Sequence, residues 1–140
     1  MDTLFWLANA LVAPFWLLMI ALPHWPGTRR LLQSFWIVAP AALYVLLGVT
    51  QAGALLAATR DLSPAGLVAL FGTPAGALLA WVHMLTLDLF AGRWIYLDGT
   101  ERQAPAPLLA PVLLLTLLTA PLGLSLYLLI RRLSPPHPSG

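Results

Sequence analysis

The sequence predicts an all-α membrane protein: a bundle of four transmembrane helices with a short interfacial helix between the second and third. Three observations carry this. Of 140 residues, 60% are apolar and only 9% are charged, against about 25% charged in an ordinary soluble domain. A chain this small has too much surface for its volume to hide so much apolar side chain from water. The charged residues also leave four long windows free of Asp, Glu and Arg: Thr3–Thr28, Leu31–Thr59, Leu62–Leu87 and Gln103–Ile130. A helix of roughly 20 apolar residues crosses a bilayer core of about 30 Å, so each window holds one span and none holds two. Finally, the windows are continuous Leu/Ala/Val runs, without the alternation of barrel strands.

The elements follow in order. The first span is placed at about Thr3–Leu22. It lacks a basic leader and a small-residue cleavage site, so it reads as a retained anchor. Pro14 removes a backbone donor in mid-span and predicts a kink, with Asn9 placed to satisfy groups freed there. Pro23-His24-Trp25-Pro26-Gly27-Thr28-Arg29-Arg30 reads as a turn at the headgroup interface.

The second span is placed at about Leu31–Ala57, with Pro40 inside it, and is closed by Arg60-Asp61. Ser63-Pro64 has the form of an N-cap followed by Pro at the first helical position. It opens a short interfacial helix, about Ala65–Phe71. Thr73-Pro74 repeats that form and starts the third span, about Pro74–Leu97, with Asp98-Gly99-Thr100 as the turn that leaves it. The fourth span is about Leu108–Ile130, contains Pro111 and Pro121, and ends at Arg131-Arg132. Residues 1–133 thus form a single four-helix transmembrane domain, and the Pro/Ser-rich residues 134–140 are expected to be disordered. Four spans put both termini on one side. The arginines then divide almost evenly between the two sides, so the positive-inside rule gives no orientation.

Composition excludes several functions. Seven Arg against five acidic residues make too thin an excess for a phosphate-binding patch, and no nucleic-acid partner is expected. With no cysteine there are no disulfides, thiolate metal sites or Cys nucleophiles. No metal and no cofactor is expected.

The third span is the one that departs from the Leu/Ala background. His83, Asp88, Arg93 and Asp98 recur every five residues. Ionisable groups at membrane depth are expensive and need a reason. Five residues turn an α-helix by about 140° beyond a full circle, so neighbours in this series point apart unless a π-bulge rotates one of them. Asp88, Arg93 and His83 each have competing readings. Asp88 is an interhelical hydrogen-bond acceptor or a functional base. Arg93 snorkels to the interface, pairs with Asp88 or Asp98, or acts directly. His83 is a structural histidine or a proton donor. A proton or ion relay is weaker, because the other spans offer few polar groups.

The stretch Trp81-Val82-His83, then Asp88-Leu89-Phe90-Ala91-Gly92-Arg93-Trp94, then Asp98-Gly99, resembles the signature of the abscisic-acid-deficient-four-like membrane proteins. Asn9 with Pro14-Phe15-Trp16-Leu17-Leu18 and Pro23 resembles that family's first helix. Pro121-Leu122-Gly123-Leu124 and Tyr127 resemble its last. The resemblance runs from about Leu4 to Arg132. It implies a four-helix integral membrane protein whose plant members are needed to form neoxanthin from violaxanthin, a conversion that opens an epoxide and creates an allene.

Such chemistry needs an acid for the epoxide oxygen and a base for a neighbouring proton. His83, Asp88 and Arg93 are the candidate catalytic residues: Arg93 or His83 as donor, Asp88 as base. Asn9, Trp81, Phe90 and Trp94 are the candidate substrate-binding residues. The expected partners are membrane lipids and a carotenoid or isoprenoid ligand. The alternative is a non-catalytic subunit of a membrane protein complex or a pigment- or lipid-binding scaffold. The absence of a transit peptide and the Ala/Leu/Arg/Pro usage lead us to expect a multi-pass protein of a bacterial inner membrane.

Overall fold

In the computed structural model, which describes residues 1–60 and 63–133, every regular element is helical. The helices are α1 (Asp2–Ala21), α2 (Pro26–Gln33), a 3-10 turn (Phe35–Val38), α3 (Ala39–Thr50), α4 (Ala52–Ala58), α5 (Pro64–Phe71), α6 (Pro74–Glu101), α7 (Ala106–Leu118) and α8 (Ala120–Leu133). The expected disordered tail lies outside the described residues.

The proline-led starts read from the sequence are present. Ser63 caps α5 by accepting from the Gly66 amide at 3.1 Å, and Thr73 accepts from the Gly76 amide at 3.0 Å as α6 begins. The 20-residue α1 and the 28-residue α6 are long and apolar enough to cross a membrane. α2 and the segment Phe35–Thr50 meet at a 54° bend and qualify together as a third, broken span.

The remainder departs from the expected bundle. The second window is broken at Ser34, whose ψ of 164° is extended, and again at Gln51. Its chain starts earlier than expected, because Pro26 opens α2 inside the presumed loop. Asp98-Gly99-Thr100 does not leave α6. The helix runs on to Glu101 and closes at Gln103, which takes a left-handed φ of 57° while the Ala104 amide reaches back to the Gly99 carbonyl at 2.9 Å. That is a Schellman-type ending in which a glutamine occupies the position usually given to glycine.

The largest correction concerns the fourth window, which is not one span. Thr119 adopts φ −155° and ψ 88°, and the chain folds back there. Gly123 of α8 lies against the Thr116 backbone of α7, and Gly99 has both Leu109 and Tyr127 as neighbours. Residues 18 apart on a straight helix would be separated by about 27 Å. α7 and α8 are therefore arms of an antiparallel hairpin. At 13 and 14 residues, each arm is about 20 Å long, shorter than the roughly 30 Å of a bilayer core.

The chain forms two compact units. The first holds residues 1–12 and 38–86, the second 13–37 and 87 onward, so α1 and α6 supply their early residues to one unit and their later residues to the other. In the first, Ala8, Leu78 and Val82 are buried together, with Leu4, Leu43, Tyr44, Leu47 and Leu85 packed around them. In the second, the core includes Trp16, Met19, Leu32, Leu89, Ile95, Tyr96, Leu109, Leu113 and Tyr127. There Trp16 packs on Gly92, and just beyond α1 the Pro23 carbonyl accepts from Tyr96 Oη at 2.7 Å. Both partners advance together along the chain, so within this unit the later parts of α1 and α6 run parallel.

Candidate functional site

α6 carries most of the candidate residues, and it is a regular α-helix throughout. No π-bulge rotates one acid–base partner toward the next, so His83, Asp88 and Arg93 take successive different directions around it.

In the first unit, His83 is exposed and sits beside Tyr44 of α3, their ring centroids 5.2 Å apart at an interplanar angle of 51°. The two rings line a cleft of ≈ 210 Å³ whose other walls are Leu55, Phe71, Leu79, Ala80 and Met84. Two acid–base side chains thus face a space that is otherwise aliphatic, thioether and phenyl. Trp81 lies elsewhere in this unit, 5.6 Å from the Phe5 ring, on a second apolar cleft of ≈ 380 Å³ that also includes Pro74 and Leu78. Asn9 does not address the groups freed by Pro14. Its amide Nδ2 donates to the Phe5 carbonyl at 2.7 Å, one turn in the other direction.

In the second unit, Arg93 pairs with neither Asp88 nor Asp98. Its Nε donates to the Leu32 carbonyl at 2.7 Å, near the end of α2, where the break at Ser34 leaves carbonyls short of helical partners. Asp88 is half-buried and, among the described residues, makes no side-chain hydrogen bond or ion pair. It shares a face of α6 with Gly92 one turn on. The Trp16 indole against Gly92 is 3% exposed, and its Nε1 is buried without a hydrogen-bond partner among the described residues. Phe90 is 65% exposed and covers no other candidate.

Trp94 belongs to a polar hub that the sequence reading did not assemble. Its ring meets Tyr127 edge-on at 5.6 Å and Arg131 packs over it at 5.6 Å. Asp98 is the centre. It accepts from Tyr127 Oη at 2.5 Å, from Arg131 at 2.9 and 3.1 Å, and from Arg102 Nε at 2.9 Å. Arg102 is four residues on, just past the end of α6, and was within sequence reach. Tyr127 and Arg131 come from the folded-back arm, which was not. Tyr44 was equally hidden, because it is a lone tyrosine in an apolar window with no spacing relation to His83.

With this geometry in place, the family can be decided. The model of the ABA4-like family, ABA DEFICIENT 4-like, matches residues 3–127. The chain belongs to that family. Among curated proteins it is similar to Protein ABA DEFICIENT 4, chloroplastic, of Arabidopsis thaliana, at 27% identity over 115 residues, covering 73% of this chain and 50% of that protein. The chain thus spans about half the length of that relative. No solved structure matches it. The matched region includes α1, α6 and most of the hairpin, and so contains Tyr44, His83, Asp88, Arg93, Asp98 and Tyr127 alike.

Proposed function

We propose that this ABA4-like protein is an integral membrane protein that binds an oxygenated isoprenoid of the carotenoid class and isomerises it without a cofactor, with Tyr44 and His83 as the acid–base pair. The observation that carries the reading is the placement of these two rings in an otherwise apolar cleft. An apolar ligand with one polar end group matches that lining.

Membrane insertion is supported by the lengths of α1 and α6 and by the large apolar side chains displayed on the surface. Trp6, Leu17, Phe35, Trp36 and Phe90 are all more than 60% exposed, a display that water disfavours and lipid accepts. With the bent segment Pro26–Thr50 as the third crossing, the chain spans three times and the α7–α8 hairpin dips in from one side. In place of the expected four-span bundle this gives three crossings, with α5 at the interface. The Ala/Leu/Arg/Pro usage supports a bacterial inner membrane as its location.

The chemistry balances with two side chains. The Tyr44 phenol gives its proton to the epoxide oxygen as the ring C–O bond breaks. Neutral His83 takes the proton from the adjacent chain carbon, and that C–H electron pair becomes the new double bond of the allene. The imidazolium then returns its proton to the phenolate. Acid and base of this kind typically contribute 10²–10⁴-fold each.

The test uses full-length protein in detergent with a 5,6-epoxycarotenoid, followed by chromatography for the allenic isomer. Conversion is expected, with a drop of about 100-fold in Tyr44→Phe and in His83→Gln. Pigment recovered unchanged from folded protein overturns the isomerase. Pigment retained on the protein but unchanged supports the scaffold reading. For Arg93, the bond to the Leu32 carbonyl supports a structural role, since it ties α6 to the end of α2.

A further inference from the structure

We propose that the basic end of the second unit is a docking surface for anionic phospholipid headgroups. It would fix the chain with its C-terminal end in the cytoplasm and its N-terminal end across the membrane. The inference rests on the membrane-spanning reading above.

Four charge-free windows taken as four spans split the arginines almost evenly. The hairpin removes that symmetry. Because α8 returns to where α7 began, Arg131 binds Asp98 at the end of α6. Arg102 is on the same carboxylate. Arg29 of α2 bonds Glu101, also at that end, at 3.2 Å. Arg30 and Arg132, adjacent to Arg29 and Arg131, are exposed and have no ion pair among the described residues. Five arginines therefore gather around two carboxylates, Asp98 and Glu101. Within α2 the division is clean: Arg29 and Arg30 are exposed while Thr28 and Leu32 are fully buried. Trp25, 53% exposed, stands at the start of that helix, the pattern of an aromatic residue at headgroup level.

An excess of arginine flanking the ends of spans marks the cytoplasmic side, where the leaflet is anionic. α6 ends among these residues, and the last described residue, Leu133, lies two residues beyond Arg131. α1 is about 30 Å long, so if it crosses, Asp2 is on the far side. Three crossings and a re-entrant hairpin thus separate the termini, whereas four crossings unite them.

The chain contains no cysteine, so single cysteines report cleanly. In intact bacteria expressing the full chain, Thr3→Cys is expected to react with a membrane-impermeant maleimide, and Leu133→Cys only after permeabilisation. Labelling of both from the same side overturns the proposal while leaving membrane integration standing. Release of the chain from membranes by alkaline carbonate overturns both.

A second measurement addresses the lipid. Full-length protein in mixed micelles is expected to retain phosphatidylglycerol over phosphatidylcholine. Arg30→Glu with Arg132→Glu should reduce that retention by about fivefold or more and let a fraction of Leu133→Cys label from outside. Equal retention of the two lipids, unaffected by the charge reversals, overturns the headgroup surface.

Discussion

Asp98 of α6 and Arg131 of α8 are joined by two hydrogen bonds, at 2.9 and 3.1 Å, across 33 residues of sequence. The contact exists because the chain reverses at Thr119, and it closes the open end of the α7–α8 hairpin against α6.

Asp98→Asn removes the charge that compensates Arg102 and Arg131 and weakens four hydrogen bonds in a site where the Asp98 side chain is 18% exposed. Hydrogen bonds to charged groups are worth about 1.5–3 kcal/mol, so a loss of about 3 kcal/mol is expected in detergent unfolding. Tyr127→Phe deletes one of those bonds and should cost about 1.5–2 kcal/mol. Equal stability of Asp98→Asn and the parent would show that the hub does not hold the hairpin.

Gly123→Ala places a methyl group into the Thr116 backbone. Overpacking of this kind typically costs 1–3 kcal/mol, and a larger residue should open the hairpin. Gly48 is the contrasting case: it is helical and nothing lies within 4 Å of an added Cβ. Gly48→Ala should stabilise by up to about 1 kcal/mol. Thermal unfolding of both variants side by side decides the matter.

Gln103→Gly should stabilise. The glutamine holds a φ of 57°, a conformation costing an L-residue roughly 1–2 kcal/mol and glycine little. Part of that gain is lost to glycine's greater unfolded-state freedom. A net increase of about 0.5–1 kcal/mol is expected, and a decrease would deny the left-handed closure of α6.

Trp16→Phe keeps the ring that packs on Gly92 and deletes an indole N–H that has no partner among the described residues. Removing an unsatisfied buried donor relieves a penalty of about 1–3 kcal/mol, set against a smaller ring. Stability should therefore be unchanged or higher, whereas Gly92→Ala, which drives a methyl into the same indole, should lower it. A large loss in Trp16→Phe would show that the N–H has a partner.

These cases also show what the sequence could convey. α1 and α6 were legible to within a few residues from their long apolar runs, and for α6 the Thr73 cap marks the start. The reversal at Thr119 was not, since both arms are apolar and hydropathy is blind to direction. A local sign was present: Thr119-Ala120-Pro121 follows the same grammar as Ser63-Pro64 and Thr73-Pro74, a hydroxyl residue ahead of an early proline, and marks a helix start rather than a kink. The hub at Asp98 was illegible for the same reason, as two of its three donor residues, Tyr127 and Arg131, arrive on the returning arm. The family motif drew attention to α6, but Tyr44 came into view only when folding brought it beside His83.

The parallel pairing of α1 with α6 sets a clock on biosynthesis. Parallel neighbours cannot be joined by a short turn, so Trp16 must wait for Gly92, about 75 residues later, to emerge. At 5–20 residues per second that wait is roughly 4–15 s. During it, the nascent first helix presents an uncovered indole. Any chaperone that shelters emerging apolar segments would meet this protein in that interval, and slowing translation between α1 and α6 would lengthen it.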